Sequence, residues 1–158
     1  MTTRDELIEG MRMIVREGLR TTRTFGPDDW SFQVHDEEAG WTVRDTYAHL
    51  TAIAEITPGF LGALGQAGEG QNAAAGVDIN ALNAQAIAAK AAMTEAELMG
   101  AFKTGYEKLV EHIQGMPQDQ LDQQRQFGPY QGAVAEIMSS ALVLHGLSHI
   151  YHAGSRPF

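Results

Sequence analysis

Eleven residues near the C-terminus, Leu144 to Gly154, hold three of the six histidines, and their spacing limits what this chain can be more than any other feature. At about 100° per residue on a helix, His145, His149 and His152 fall at roughly 0°, 40° and −20°, within one narrow stripe. Ala141, Met138 and Val134 extend that stripe backwards, so the histidines continue the line along which an amphipathic helix buries its apolar side chains. Imidazoles at i and i+4 project from neighbouring turns and bring two ring nitrogens to one cation. Two ligands rarely suffice, so a third is expected from elsewhere.

The chain has 158 residues, 44% of them apolar, which suits one domain with one core. No run of 18 apolar residues appears, so no membrane span is expected. Residues 1 to 20 carry charges throughout and lack the apolar block of a secretory signal, so the protein is expected in the cytoplasm. With no cysteine there is no thiolate ligand and no cysteine nucleophile, and any metal site must rest on His, Asp, Glu and water. A formal charge of −9 repels phosphate backbones and argues against nucleic acid as a partner. Arg12, Arg16, Arg20 and Arg23 read as one solvated helix face.

Thr3 and Glu6 form a capping box, and Leu7, Met11, Ile14, Val15 and Leu19 predict a first helix to about residue 24. Gly26-Pro27-Asp28-Asp29 and Asp36-Glu37-Glu38 mark a long connection, in which His35 reads as solvated. Thr42 with Asp45 opens a second helix, whose row of His49, Ile53, Ile56 and Phe60 turns His49 inward. The glycine-rich stretch 65–76 reads as a flexible linker, long enough for a lid. Asp78 to Ala92 suggests a short helix. Thr94 and Glu97 cap a third long helix that Gly115-Met116-Pro117 ends, with His112 off its apolar stripe and therefore exposed. Residues from Gln118 to Pro129 read as connection, and the last helix is predicted from about Gln131 to Ala153, ended by Gly154 and Pro157. No strand pattern and no internal repeat appear. Four long amphipathic helices predict an all-α four-helix bundle, with long connections that leave its topology open.

His49, His145, His149 and His152 thus all lie on apolar stripes with no carboxylate on the same stripe. Burying unpartnered imidazoles would cost a few kcal/mol each, and a shared cation removes that cost. His49, His145 and His149 are the predicted ligands. His152, close to the helix end, is expected outside the ligand set as a proton carrier, or as an alternative ligand. Three neutral nitrogens suit zinc, nickel or iron with water completing the shell. Ser148 faces another side of the helix, and no nucleophile-elbow, P-loop or dinucleotide motif is present.

Gly40-Trp41-Thr42-Val43-Arg44-Asp45 with His49-Leu50, followed by His145-x-x-x-His149, resembles the DinB-like superfamily, including the N-terminal domain of mycothiol-dependent maleylpyruvate isomerase. The resemblance spans the whole chain, 1–158, as one domain. It implies an up-down-down-up four-helix bundle, a divalent metal on His49, His145 and His149, and a homodimer. It further implies a small-molecule substrate and a metal-activated low-molecular-weight thiol, of mycothiol or bacillithiol type, acting in S-transfer or isomerisation. Hydrolysis by a metal-bound water, and a non-catalytic metal-binding role in stress, are the alternatives. The sequence ends at Phe158 without the further C-terminal domain of some isomerase relatives, which counts against maleylpyruvate itself as the substrate and leaves the substrate open.

Overall fold

The computed structural model describes residues 2–34, 40–68 and 70–155. His35, the acidic run 36–38 and Pro157 lie outside the described residues. Helix α1 (Arg4–Thr22) starts where the Thr3 hydroxyl accepts from the Glu6 N–H and the Glu6 carboxylate returns the bond to the Thr3 N–H at 2.7 Å. The same reciprocal box opens α2 (Val43–Gln66) at Thr42 and Asp45, and α4 (Glu95–Gly115) at Thr94 and Glu97. Between α2 and α4, Asp78 caps the shorter α3 (Ile79–Ala89), and α5 (Gln118–Leu121) is a single turn after α4. A 3₁₀ turn, Pro27–Ser31, interrupts the connection after α1.

Two expectations need correction. Polar residues read as plain connection contain a hairpin, β1 (Gln124–Phe127) paired antiparallel with β2 (Tyr130–Ala133) across Gly128 and Pro129. Gly128 turns it with a φ of 57°, which glycine adopts without strain. The last helix therefore starts at Val134, three residues later than predicted, and it is not uniform. It runs as α6 (Val134–Met138), a π-helical turn (Ser139–Leu144) and α7 (His145–Gly154) without a break. A π turn widens the helix by i→i+5 bonding and is common next to functional residues. Here it directly precedes His145.

The molecule is mostly helical, and α1, α2, α4 and α7 share one core. Leu7, Met11 and Ile14 of α1 meet Phe102, Tyr106 and Leu109 of α4, Tyr47 and Leu50 of α2, and Ile150 of α7, all buried. Small residues bring α1 and the last helix close together. A Cβ at Gly10 would lie 2.7 Å from the Val143 side chain, and one at Gly146 would lie 2.9 Å from Ile14 Cδ1. That approach seats the π turn and the first turn of α7 against α1. Across the core, α2 packs on α4, and Arg44 near the start of α2 donates to the carbonyls of Lys90, Ala91 and Met93 at the turn into α4. Lys90, buried in this corner, donates to Glu55 of α2 at 2.7 Å.

Two buried phenols make opposite contributions. The Tyr47 hydroxyl donates to the Gly18 carbonyl at 3.1 Å, whereas the buried Tyr106 hydroxyl has no hydrogen-bond partner among the described residues. A made bond is worth about 0.5–1.5 kcal/mol net, and an orphaned buried group costs about 1–3 kcal/mol. Tyr47→Phe is therefore expected to lower the thermal midpoint and Tyr106→Phe to raise it. Calorimetric melts of the two variants check this, and a midpoint lowered by Tyr106→Phe would contradict it.

Candidate metal centre

Three imidazoles meet where α2 faces α7. His49 lies in the second turn of α2, and His145 and His149 occupy successive turns of α7. The Nε2 atoms of His49 and His145 are 3.3 Å apart, and those of His149 and His145 are 3.0 Å apart. One ring nitrogen from each of the three falls within 4.8 Å of the others, a group that could hold a metal ion. Nitrogens about 2.0–2.1 Å from a tetrahedral zinc lie roughly 3.3 Å from each other, so the spacing matches a shared ion. The donor chemistry fits as well: nitrogen donors without thiolate suit zinc, nickel or iron.

His49 and His149 are 4% and 6% exposed, and His145 is half-buried. Burial pushes His49 down from 6.5 to about 3, and its two histidine neighbours add to the shift, so at neutral pH the ring is uncharged and one of its two nitrogens keeps a lone pair for a ligand bond. A hydrogen bond with the Asn83 side chain opposes that shift in part. His152 is not among the three that converge; it is half-buried and its ring packs against Tyr151, with centroids 5.6 Å apart. His112 on α4 is exposed.

Two contributors escape the helical wheel. Trp41, just before α2, lays its indole over the cluster at 4.7 Å from the His49 ring and 6.0 Å from the His149 ring. The loop holds it there by a bond from the Val34 N–H to the Trp41 carbonyl, 2.8 Å, one residue before the Thr42 cap. Its place in the Gly40–Asp45 motif is the signal that points to it. Asn83 reaches His49 from α3, an alanine-rich helix whose sequence carries no mark of the role.

A cavity of about 270 Å³ opens beside His49 and His145. The row His49, Ile53, Ile56 and Phe60 lines it along α2, with Leu82 and Asn83 of α3 on another side and Phe127 at the hairpin. Ile56 is 42% exposed and opens to the cavity, whereas His49 is buried and Ile53 also packs against the core. The glycine-rich stretch is more than a linker. Ala74 lines the cavity, the Ala73 N–H donates to the Gln126 carbonyl, and the Asn72 carboxamide accepts from the Gly128 N–H at 2.9 Å. A larger groove of about 600 Å³ between α2 and α4 includes His112. Among the described residues it brings no set of metal-binding donors together.

A family model described as the mycothiol maleylpyruvate isomerase N-terminal domain matches residues 11–147. The match takes in His49 and His145 and ends two residues before His149. Neither a curated protein nor a solved structure matches the chain. No helix of the described residues is long and apolar enough to cross a membrane.

The depressed titration of His49 has a consequence for the metal-free protein. The unfolded chain binds a proton at His49 below about pH 6.5 and the folded chain does so only near 3, so unfolding takes up a proton between those values. Stability is expected to fall as pH drops from 6.5 towards 3, and to fall less steeply in His49→Gln. Thermal melts across that range, with chelator present, check the slope; equal slopes for both proteins would contradict it.

Proposed function

Because the chain belongs to the mycothiol maleylpyruvate isomerase N-terminal domain family, within the DinB-like superfamily, we propose that it is a metal-dependent enzyme of thiol S-transferase or isomerase type. The observation that carries the reading is the convergence of His49, His145 and His149 beside a cavity. The three rings hold a divalent ion, zinc or nickel foremost and iron as the alternative. Such an ion, when bound, ionises a coordinated thiol and lowers the pKa of a coordinated water. The thiol in this reading is a low-molecular-weight cosubstrate of mycothiol or bacillithiol type, since the chain has no cysteine of its own.

The protein's residues supply binding and orientation. Burial keeps His49 uncharged and ready to ligate, and Asn83 fixes its ring. Trp41 shields the cluster from water on its own side. The cavity along α2 receives the electrophilic substrate next to His49 and His145. A non-catalytic staple is less well supported, because a closed shell would need a fourth donor, and among the described residues only three converge, with His152 packed on Tyr151. Hydrolysis by coordinated water uses the same site and is the remaining alternative.

The wider architecture in this reading is a single four-helix bundle over 1–158 with up-down-down-up order, assembled as a homodimer in the cytoplasm. The pairwise packing of α1 on α4, α4 on α2, α2 on α7 and α7 on α1 supports a closed ring of four helices.

Elemental analysis of untagged protein tests the centre. About one equivalent of metal is expected, retained in His152→Ala and His112→Ala and lost in His49→Ala and His149→Ala. Added zinc at a hundredfold excess over its dissociation constant should stabilise the metal-free protein by about 2.7 kcal/mol. Absence of metal, together with an unchanged melting temperature in zinc or nickel, would overturn the proposal. Metal lost with His152→Ala would instead favour the closed, non-catalytic site.

A further inference from the structure

The cavity beside the histidines is chemically uneven along its length, and that unevenness names a substrate class. It follows α2 from His49 past Ile53 and Ile56 to Phe60, eleven residues on, or about 16 Å of helix rise. Polar groups gather at the start, where His49, Asn83 and His145 meet. Phe60 and Phe127 close the other end edge to face, with centroids 5.3 Å apart. Polar atoms along the way are already engaged. The Thr57 hydroxyl donates to the Ile53 carbonyl at 2.6 Å, and the Gly128 N–H and carbonyl both bond the Asn72 carboxamide. The Tyr130 phenol adds one uncharged group. Among the described residues no Lys, Arg, Asp or Glu lines the cavity.

An ion placed towards Phe60 would therefore give up part of its water against apolar walls and gain no counter-charge, which is unfavourable. The histidine end is different, because an anionic head there would face the cation. Volume narrows the choice further, since about 270 Å³ is below the ~300–1,000 Å³ of sites that take drug-sized ligands.

We propose that the site takes a small molecule with one polar or anionic head at the histidines and an uncharged, unsaturated or aliphatic body lying towards Phe60 and Phe127, and that it rejects dicarboxylates. The position of the head rests on the metal centre proposed above; the selection of the body rests on the cavity alone. The consequence is a substrate class apart from the doubly charged acid in the family's name.

Titration calorimetry with cinnamate, para-carboxycinnamate and neutral cinnamamide tests this on zinc-loaded and metal-free protein. Zinc-loaded protein is expected to bind cinnamate about tenfold or more tightly than para-carboxycinnamate. Metal-free protein is expected to keep binding cinnamamide. Phe60→Arg, and Leu82→Arg on the more exposed wall, should each narrow the preference for cinnamate by supplying the missing counter-charge. Equal binding of the dicarboxylate, binding of none of the three probes, or an unchanged preference in correctly folded arginine variants would overturn the proposal. Protein that takes up no zinc yet binds cinnamamide and rejects para-carboxycinnamate would remove the cation and leave this assignment standing. Protein that binds zinc but none of the probes would do the reverse.

Discussion

Three imidazole rings, two of them buried and one half-buried, turn ring nitrogens towards one another, and the surrounding structure is arranged around that meeting. The His49 ring lies edge to face with those of His145 and His149, at centroid distances of 5.6 and 5.1 Å. Among the described residues no carboxylate belongs to the group. Neutral imidazoles can bond one another only in part, because each offers a single N–H and a single acceptor. A shared cation engages one nitrogen of every ring at once. The rest of the site follows from holding α2 against α7 at the separation this requires. Gly146 admits Ile14 of α1 behind the first ligand turn, while Trp41 lies over the rings of His49 and His149.

The uneven cavity complements that centre. Its polar end is built from residues whose side chains face the cluster, and its far end from aromatic and aliphatic groups with their neighbouring polar atoms already bonded. Four segments distant in sequence make the walls: α2, α3 with the preceding glycine-rich stretch, the hairpin, and the last helix at Ala141, Leu142 and His145. Asn72 joins two of them by bonding both backbone groups of Gly128. One carboxamide thus sets the position of the hairpin tip relative to the loop facing it.

Local chemistry decided what could be read from the sequence. The capping boxes at Thr3, Thr42 and Thr94 are contained within four residues each, and the helices start where they predict. The inward direction of His49, His145 and His149 is likewise a property of single helices, so the convergence of the three rings was legible before any packing was known. The hairpin was not. Gln124-Arg125-Gln126 shows no alternation of apolar and polar residues, and its strands are four residues long, too short for a period to emerge. Asn83 and Ala74 act through tertiary placement, and an alanine-rich helix and a glycine-rich loop announce nothing of the kind. The π turn also lay beyond a wheel drawn at 100° per residue, which assumes one helical geometry throughout.

That π turn makes the last helix tolerant of a change in length at one place and intolerant elsewhere. Its i→i+5 bonds let Ser139 to Leu144 hold one residue more than α geometry needs for the same rotation. Removing one residue there would let the helix close into ordinary α geometry with Val134 and Met138 still facing the core and His145 and His149 still facing His49. The same deletion between His145 and His149 would turn one ligand by about 100° against the other. Descendants of this chain can lose a codon in the π turn and keep the centre, but not four residues later.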